Sequence, residues 1–470
     1  MFKFKRSFPA PQLGAKFILL TLLGTVLLAT CTPADVPKKP WREELRVIVV
    51  QGENNMDMEF EQQLVALFGK QLQIKIRLLP LPLDQITSAL MANRGHIAAA
   101  GLRSNDATVM RFGPSYQTVN EQVVCTGTPP KRIDGLLNRT IAVAAGSAQE
   151  AALREAKNKL TELRWVARSK QTAANLLAEV ATGKLECTVA NEEQLALARN
   201  YAPNLDAAFD LATPSRLAWA FAPDSDATLL AEAQKFFAGI KQDGTLRRLL
   251  DRYYGHNERL EPIDSVAFIT KARTDLPHLR HLFEEGQMVS GIDWRLLAAI
   301  SYHESHWNPL ATSATNVRGL MMLTEETADR MKVTDRLDPR QSILAGARYL
   351  RLLQEQLPSR IADEERIWLA LAAYNQGQGH MEDARVLTAR ARLNADVWAD
   401  VKKIMPLLTQ PQYFEQTKHG YARGGEAVIL VETVRLYYDM LKHLDTHEMP
   451  NLPTTPFRLK LPGSEKFTSP

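Results

Sequence analysis

A chain of 470 residues, 45% hydrophobic and 23% charged, has the composition of an ordinary globular protein and the length for two or three domains. Its net charge of +4, with no basic run interleaved with aromatics, argues against a nucleic-acid partner and is compatible with an anionic polymer or a lipid surface. No CxxC and no Cys/His cluster at metal spacing occurs, so neither a metal nor a cofactor is implied. His303 and His306, three apart, lack an HExxH pattern and a third ligand.

The chain opens with Lys3, Lys5, Arg6 and Lys16, followed by an uncharged apolar run at 17–28, FILLTLLGTVLL. That run is shorter than the roughly 20 residues of a membrane span, so residues 1–30 read as an export signal. LATC at 28–31 resembles a bacterial lipobox, which would make Cys31 a lipidated N-terminus. Thr30 stands where Gly, Ala or Ser is usual, and simple cleavage near Ala29 or Ala34 is the other reading. Export places Cys125 and Cys187 in an oxidising space; a disulfide between them is open, since nothing in the sequence fixes their separation.

Residues 31–44 read as a tether. From 45 to 257 strands alternate with helices, giving an α/β layer with a largely parallel sheet. The strands are expected at 45–50, 74–79, 96–100, 121–126, 140–145, 163–166, 187–190 and 217–221. Pro129 and Pro130 mark 128–133 as the crossover between two lobes. Residues 258–276 read as a linker, 277–450 as a domain of helices alone, and 451–470, rich in proline, as a loose tail.

Within the helical half, Asp293 is a natural N-cap for a helix in which Leu296, Leu297, Ile300 and Glu304 recur at helical spacing. A carboxylate at the C-terminal end of a helix and beside its apolar face is disfavoured as an anion. A raised pKa suits a general acid working near neutral pH. The competing reading is a solvated acid paired with an arginine.

Residues 45–256 resemble the solute-binding domains of bacterial amino-acid uptake systems, in the order of elements and in LRSNDATVMRFGPSY, IAVAAGSAQ and GKLECTVAN. The resemblance implies a two-lobed, periplasmic-binding-protein-like α/β domain with a ligand cleft. Where that family holds an amino acid with an Arg and an Asp, this chain has Asp106 and Asn191. The carboxylate clamp is therefore missing. The expectation is a regulatory cleft for another ligand, such as a muropeptide, or a purely structural domain.

Four segments of the helical half, in order, resemble family 1 lytic transglycosylases: SYHESHWNP with Glu304 and Ser305, GLMMLT with Met321 and Met322, AYNQG with Tyr374 and Asn375, and ETVRLYY with Tyr437. The resemblance implies an all-α, goose-type lysozyme-like domain. It implies cleavage of the MurNAc–GlcNAc β-1,4 bond of peptidoglycan glycan strands, at the inner leaflet of the outer membrane. Glycosidases ordinarily need two carboxylates, and none accompanies Glu304 nearby in sequence. One suffices if the 6-hydroxyl of N-acetylmuramic acid attacks its own anomeric carbon, leaving a 1,6-anhydro end.

The companions carry expected roles and competing ones. Ser305 would orient Glu304 or contact the muramyl group, or else cap the helix. Met321 and Met322 would wall the sugar, or pack in the core; the family's commoner form has Gln at 322. Tyr374 and Asn375 would hydrogen-bond Glu304 or an N-acetyl group. Tyr437 would contact acid or sugar, with Tyr438 as rival and a core aromatic as the alternative. A same-fold hydrolase, and a ligand sensor whose helical half merely docks on murein, are the rival functions.

Overall fold

Leu45, Val47, Ile48 and Val49 of β1 (Glu44–Val50) are all buried, as a strand covered on both faces requires. In the computed structural model, which describes residues 40–52, 56–105, 110–211, 213–255 and 262–446, β1 lies between β2 (Lys75–Leu81) and β3 (Ile97–Arg103), both parallel to it. The export signal, Cys31, Asp106 and the tail after 450 lie outside the described residues.

The remaining strands of this first lobe are antiparallel. β4 (Arg111–Phe112) and β5 (Gln117–Val119) both pair with the late strand β11 (Ser215–Phe221), which pairs with β3. In the second lobe β6 (Glu121–Cys125) runs antiparallel between β9 (Cys187–Asn191) and β10 (Ala207–Asp210). β7 (Ala142–Ala144) and β8 (Val166–Arg168) form a parallel pair that an Ile141–Cys187 bridge joins to β9. The sheets are therefore mixed, against the expectation of a largely parallel one.

Cys125 and Cys187 face each other in the β6–β9 ladder and form a disulfide. The crossover differs from expectation. β5 and β6 are separated by Asn120 alone, so the chain changes lobe there, and the Pro129-Pro130 segment lies inside the second lobe. Asn191, read as a ligand-clamp position, N-caps the helix Glu192–Arg199 in a complete capping box with Gln194.

The stretch expected as a linker contains a helix, Pro262–Thr274, whose Phe268 and Ile269 are buried in the core of the helical half. That core is shared by helices Leu276–Ser290, Trp294–Ser305, Pro339–Gln356, Asp363–Gln376 and Gly424–Thr446. The two halves meet through helix Thr245–Tyr254. Arg247 pairs with Asp400 at 2.5 Å, Asp251 with Lys402 at 2.8 Å, and Arg252 with Glu365. No helix among the described residues is long and apolar enough to cross a membrane.

Candidate active site

Glu304 is the penultimate residue of helix Trp294–Ser305, which begins as expected at Asp293, whose carboxylate accepts the Arg295 N–H. The helix ends on two successive left-handed residues, His306 (φ 50°) and Trp307 (φ 60°). That reversal turns the Trp307 ring back under the helix, where its Nε1 donates to the Ala298 carbonyl at 2.8 Å. Non-glycine residues held there are strained, and such strain concentrates at functional sites.

Opposite the helix end lies the loop 318–323. Gly319 (φ +82°) admits no other residue, since a Cβ would stand 1.9 Å from the Arg336 carbonyl oxygen. The hydroxyls of Ser301 and Ser305 both reach the Leu320 carbonyl, at 3.0 and 2.9 Å. Met321 donates its N–H to the Ser342 hydroxyl at 3.1 Å, and its carbonyl accepts the Tyr374 hydroxyl at 2.7 Å. Met322 is left-handed at φ 46°. Three of the four sequence segments thus converge, and backbone groups of the second tie them together.

Within this frame the Glu304 carboxyl is partly buried and its pKa is pushed up to about 7. Loss of hydration alone accounts for the shift; no charged neighbour contributes. An arginine partner, the competing reading, is therefore not what holds this acid. Ionised Glu304 in turn raises the Tyr374 phenol, after burial, which places the two side chains within electrostatic reach. His303, beside Glu304 and largely desolvated, is pushed down to about 4 and so is neutral.

The companions divide. Met322 is only partly buried and Asn375 is exposed, so both remain open to a ligand. Ser305 is buried, with its hydroxyl spent on Ser301 and Leu320 carbonyls, so it shapes the site without facing a sugar. Met321 is fully buried, packed against Gly346 where a Cβ would come within 2.8 Å of it. It is a core residue, not a wall of the groove. Tyr374 bonds to the loop and not to Glu304.

The fourth segment departs most from expectation. Tyr437 stacks on Phe268 at 4.4 Å and meets Tyr302 edge-on at 4.9 Å, only 6% exposed. Tyr438 donates to Asp293 at 3.1 Å, at the far end of the Glu304 helix. Both are framework aromatics on a periodic helix. An aromatic the sequence reading passed over is Tyr421, 56% exposed. Its loop is anchored by Asp383, which accepts the His419 N–H at 2.8 Å, and the His419 ring packs on Gly379, just beyond Asn375. In the sequence it is marked only as an aromatic after a glycine, Gly420, in a stretch with no helical period.

Among the described residues no cluster of His, Cys, Asp and Glu has the arrangement to hold a metal. Residues 281–394 match the transglycosylase SLT domain family, and residues 56–256 match the bacterial extracellular solute-binding proteins, family 3. Relatives match along nearly the whole chain. A membrane-bound lytic murein transglycosylase F from Nitrosospira multiformis is 46% identical over 444 residues, covering 91% of this chain and 92% of its own length. Proteins of the same name from Methylobacillus flagellatus and Pectobacterium atrosepticum are 42% and 40% identical, covering 93% and 88% of this chain and 96% and 90% of their own lengths.

Proposed function

Since the chain belongs to the family of membrane-bound lytic murein transglycosylase F, and is a lytic transglycosylase acting on peptidoglycan, we propose that Glu304 is its sole catalytic carboxyl and serves first as acid, then as base. The observation that carries this reading is a carboxyl lifted to about 7 by desolvation alone, with no second acid contributing. Protonated Glu304 gives its proton to the oxygen leaving the anomeric carbon of N-acetylmuramic acid. The 6-hydroxyl of the same sugar bonds to that carbon, and Glu304 takes the hydroxyl proton. The enzyme is restored and the product ends in a 1,6-anhydro ring. Such proton transfers are typically worth about 10²- to 10⁴-fold, and the attacking hydroxyl, already part of the substrate, needs no capture of water.

Met322 and Asn375 flank the sugar in this reading, while Ser305, Met321, Tyr374 and Tyr437 hold the scaffold. The export signal and Cys31 support attachment at the periplasmic face of the outer membrane, either peripheral or through lipid. The N-terminal domain serves as a non-catalytic, regulatory module, its cleft taking a muropeptide or another small ligand. It modulates the enzyme to the extent that ligand binds its states unequally.

Mass spectrometry of digested murein tests the chemistry. Wild type yields anhydro products and Glu304→Gln yields almost none. Products heavier throughout by one water mean a hydrolase, and turnover unchanged in Glu304→Gln means another acid.

A further inference from the structure

The segment 415–423 joins the short helix Pro411–Phe414 to the last helix, Gly424–Thr446, and has no regular structure of its own. It is nevertheless pinned along its length. Buried Asp383 accepts the Lys418 N–H at 3.1 Å on one oxygen and the His419 N–H at 2.8 Å on the other. Gly420 donates its N–H to the Thr417 hydroxyl at 3.2 Å, and Ala422 donates to the Leu408 carbonyl at 3.2 Å. The Gln416 carbonyl accepts Arg390 at 3.2 Å. Ordering a loop at the moment of binding weakens a complex, and here the order is already present in the fold.

On this frame Tyr421 is 56% exposed. Phe414 meets its ring at 5.8 Å and 83°, and a near-perpendicular contact covers at most one face of the Tyr421 ring. Arg423, paired with Glu426 at 3.2 Å, lies beside the phenol. A single exposed aromatic is commonplace; what distinguishes this one is where its loop is seated. The His419 ring packs so closely on Gly379 that a Cβ there would come within 2.8 Å of it, and the His380 ring lies 6.0 Å from the same imidazole. Gly379 follows Asn375 by four residues, at most about 14 Å of chain, and Tyr421 follows His419 by two, at most about 7 Å. The loop therefore flanks the Tyr374-Asn375 segment, whose tyrosine feels the charge of Glu304. Glu304 itself feels no cation, although Arg423 stands beside Tyr421, so the platform is set apart from the acid. Met322, Asn375 and Tyr421 are the open side chains of three neighbouring segments.

A β-1,4-linked glycan continues past the bond being cut. Each pyranose is amphipathic, with hydroxyls around its rim and C–H groups on its faces. Such a face suits an exposed aromatic ring, which offers a large apolar area with few torsions to freeze. We propose that Tyr421 is a stacking platform for a pyranose of the glycan strand, at a subsite remote from the scissile bond that favours long strands over short ones. The inference rests on the reading of Glu304 as the acid at that bond. A sugar held far from the reacting carbon is bound equally in ground and transition states, so the platform acts on KM and not on kcat.

The test is steady-state turnover by the full chain of two substrates, long glycan strands and the tetrasaccharide of two disaccharide units. Tyr421→Ala raises KM for long strands about tenfold, the size of losing one well-placed aromatic contact, with kcat little changed. The same variant cleaves the tetrasaccharide as wild type does, and Tyr421→Phe, which keeps the ring, restores the wild-type KM. The substitution is at an exposed side chain, and an unchanged melting temperature confirms that the loop stays folded. An unchanged KM for long strands in Tyr421→Ala overturns the proposal. So does an equal loss on both substrates, which would place Tyr421 at the reacting sugars, or a Tyr421→Phe as impaired as Tyr421→Ala. Binding is read without chemistry by cosedimentation with intact murein: Tyr421→Ala added to Glu304→Gln weakens it about tenfold, and undiminished binding overturns the platform. Murein still turned over by Glu304→Gln sinks the reading of Glu304 instead, and the comparison of long and short substrates with Glu304 intact then judges the platform on its own.

Discussion

The phenol of Tyr374 donates to the carbonyl oxygen of Met321 at 2.7 Å, 53 residues away, and so fastens the loop 318–323 to the helix Asp363–Gln376. Tyr374→Phe removes the donor and leaves a carbonyl without this partner, at a cost of about 1–3 kcal/mol. Thermal unfolding reports that loss. Because the loop faces Glu304, the turnover of murein falls further than the stability loss alone implies, about tenfold or more. An unchanged rate in a destabilised Tyr374→Phe means that the loop position does not matter to catalysis.

A carboxyl lifted from 4.5 to about 7 sets the pH behaviour of the enzyme. The reaction begins with Glu304 protonated, so kcat/KM falls as pH rises through about 7. Stability follows the same sign. The folded pKa exceeds the unfolded one, so the contribution is fully present below 4.5 and lost as pH rises through about 7. Glu304→Gln cannot ionise, and therefore gains on wild type in melting temperature between pH 5 and pH 8. A difference independent of pH contradicts the desolvated carboxyl.

The domain order and the central strands were legible in the sequence because each carries a local signal: buried apolar runs, helical periods, a capping aspartate; that the first three segments meet was implied only by their resemblance to family 1 lytic transglycosylases. The fates of Met321 and Tyr437 were not legible. Whether a methionine walls a groove or fills a core depends on Gly346, which lies on another helix. Tyr437 is buried by Phe268, from a helix whose hydrophobic residues follow no clear period and which the sequence presented as a linker. The lobe crossover at Asn120 had no proline or glycine to mark it. Tyr421 was overshadowed by the strong period of the following helix.

Gly346 tests the packing directly. A Cβ there meets three Met321 side-chain atoms at 2.8–2.9 Å, so Gly346→Ala overfills the core beneath the loop. Overpacking costs about 1–3 kcal/mol. The expected result in denaturant unfolding is a lower midpoint with unchanged slope. Met321→Ala made together with Gly346→Ala recovers part of the loss relative to the sum of the two single changes, because the clash is with that side chain. Strict additivity places the strain elsewhere.

Glu432 anchors the contact between the two halves. It is fully buried, accepts Lys402 at 2.8 Å, Arg435 at 3.1 Å and Trp398 Nε1 at 2.6 Å, and its carboxyl is held down at about 2, with Arg435 and Lys402 overcoming the opposing effect of burial. Lys402 also meets Asp251, and Arg435 donates to the Arg252 carbonyl at 2.5 Å, so both cations reach the helix of the N-terminal domain. Glu432→Gln leaves two buried cations with one acceptor fewer. Breaking a buried pair in this way costs about 3–5 kcal/mol. The sign with pH is opposite to that of Glu304. The folded pKa lies below the unfolded one, so the stabilisation is present above 4.5 and is lost only as pH falls through about 2. Glu432→Gln therefore lowers the melting temperature at pH 7 and converges on wild type toward pH 2. Limited proteolysis of the folded variant shows whether the halves separate first: release of an intact helical half ahead of global unfolding locates the loss at the domain contact, and cleavage inside the helical half locates it in that half's own core.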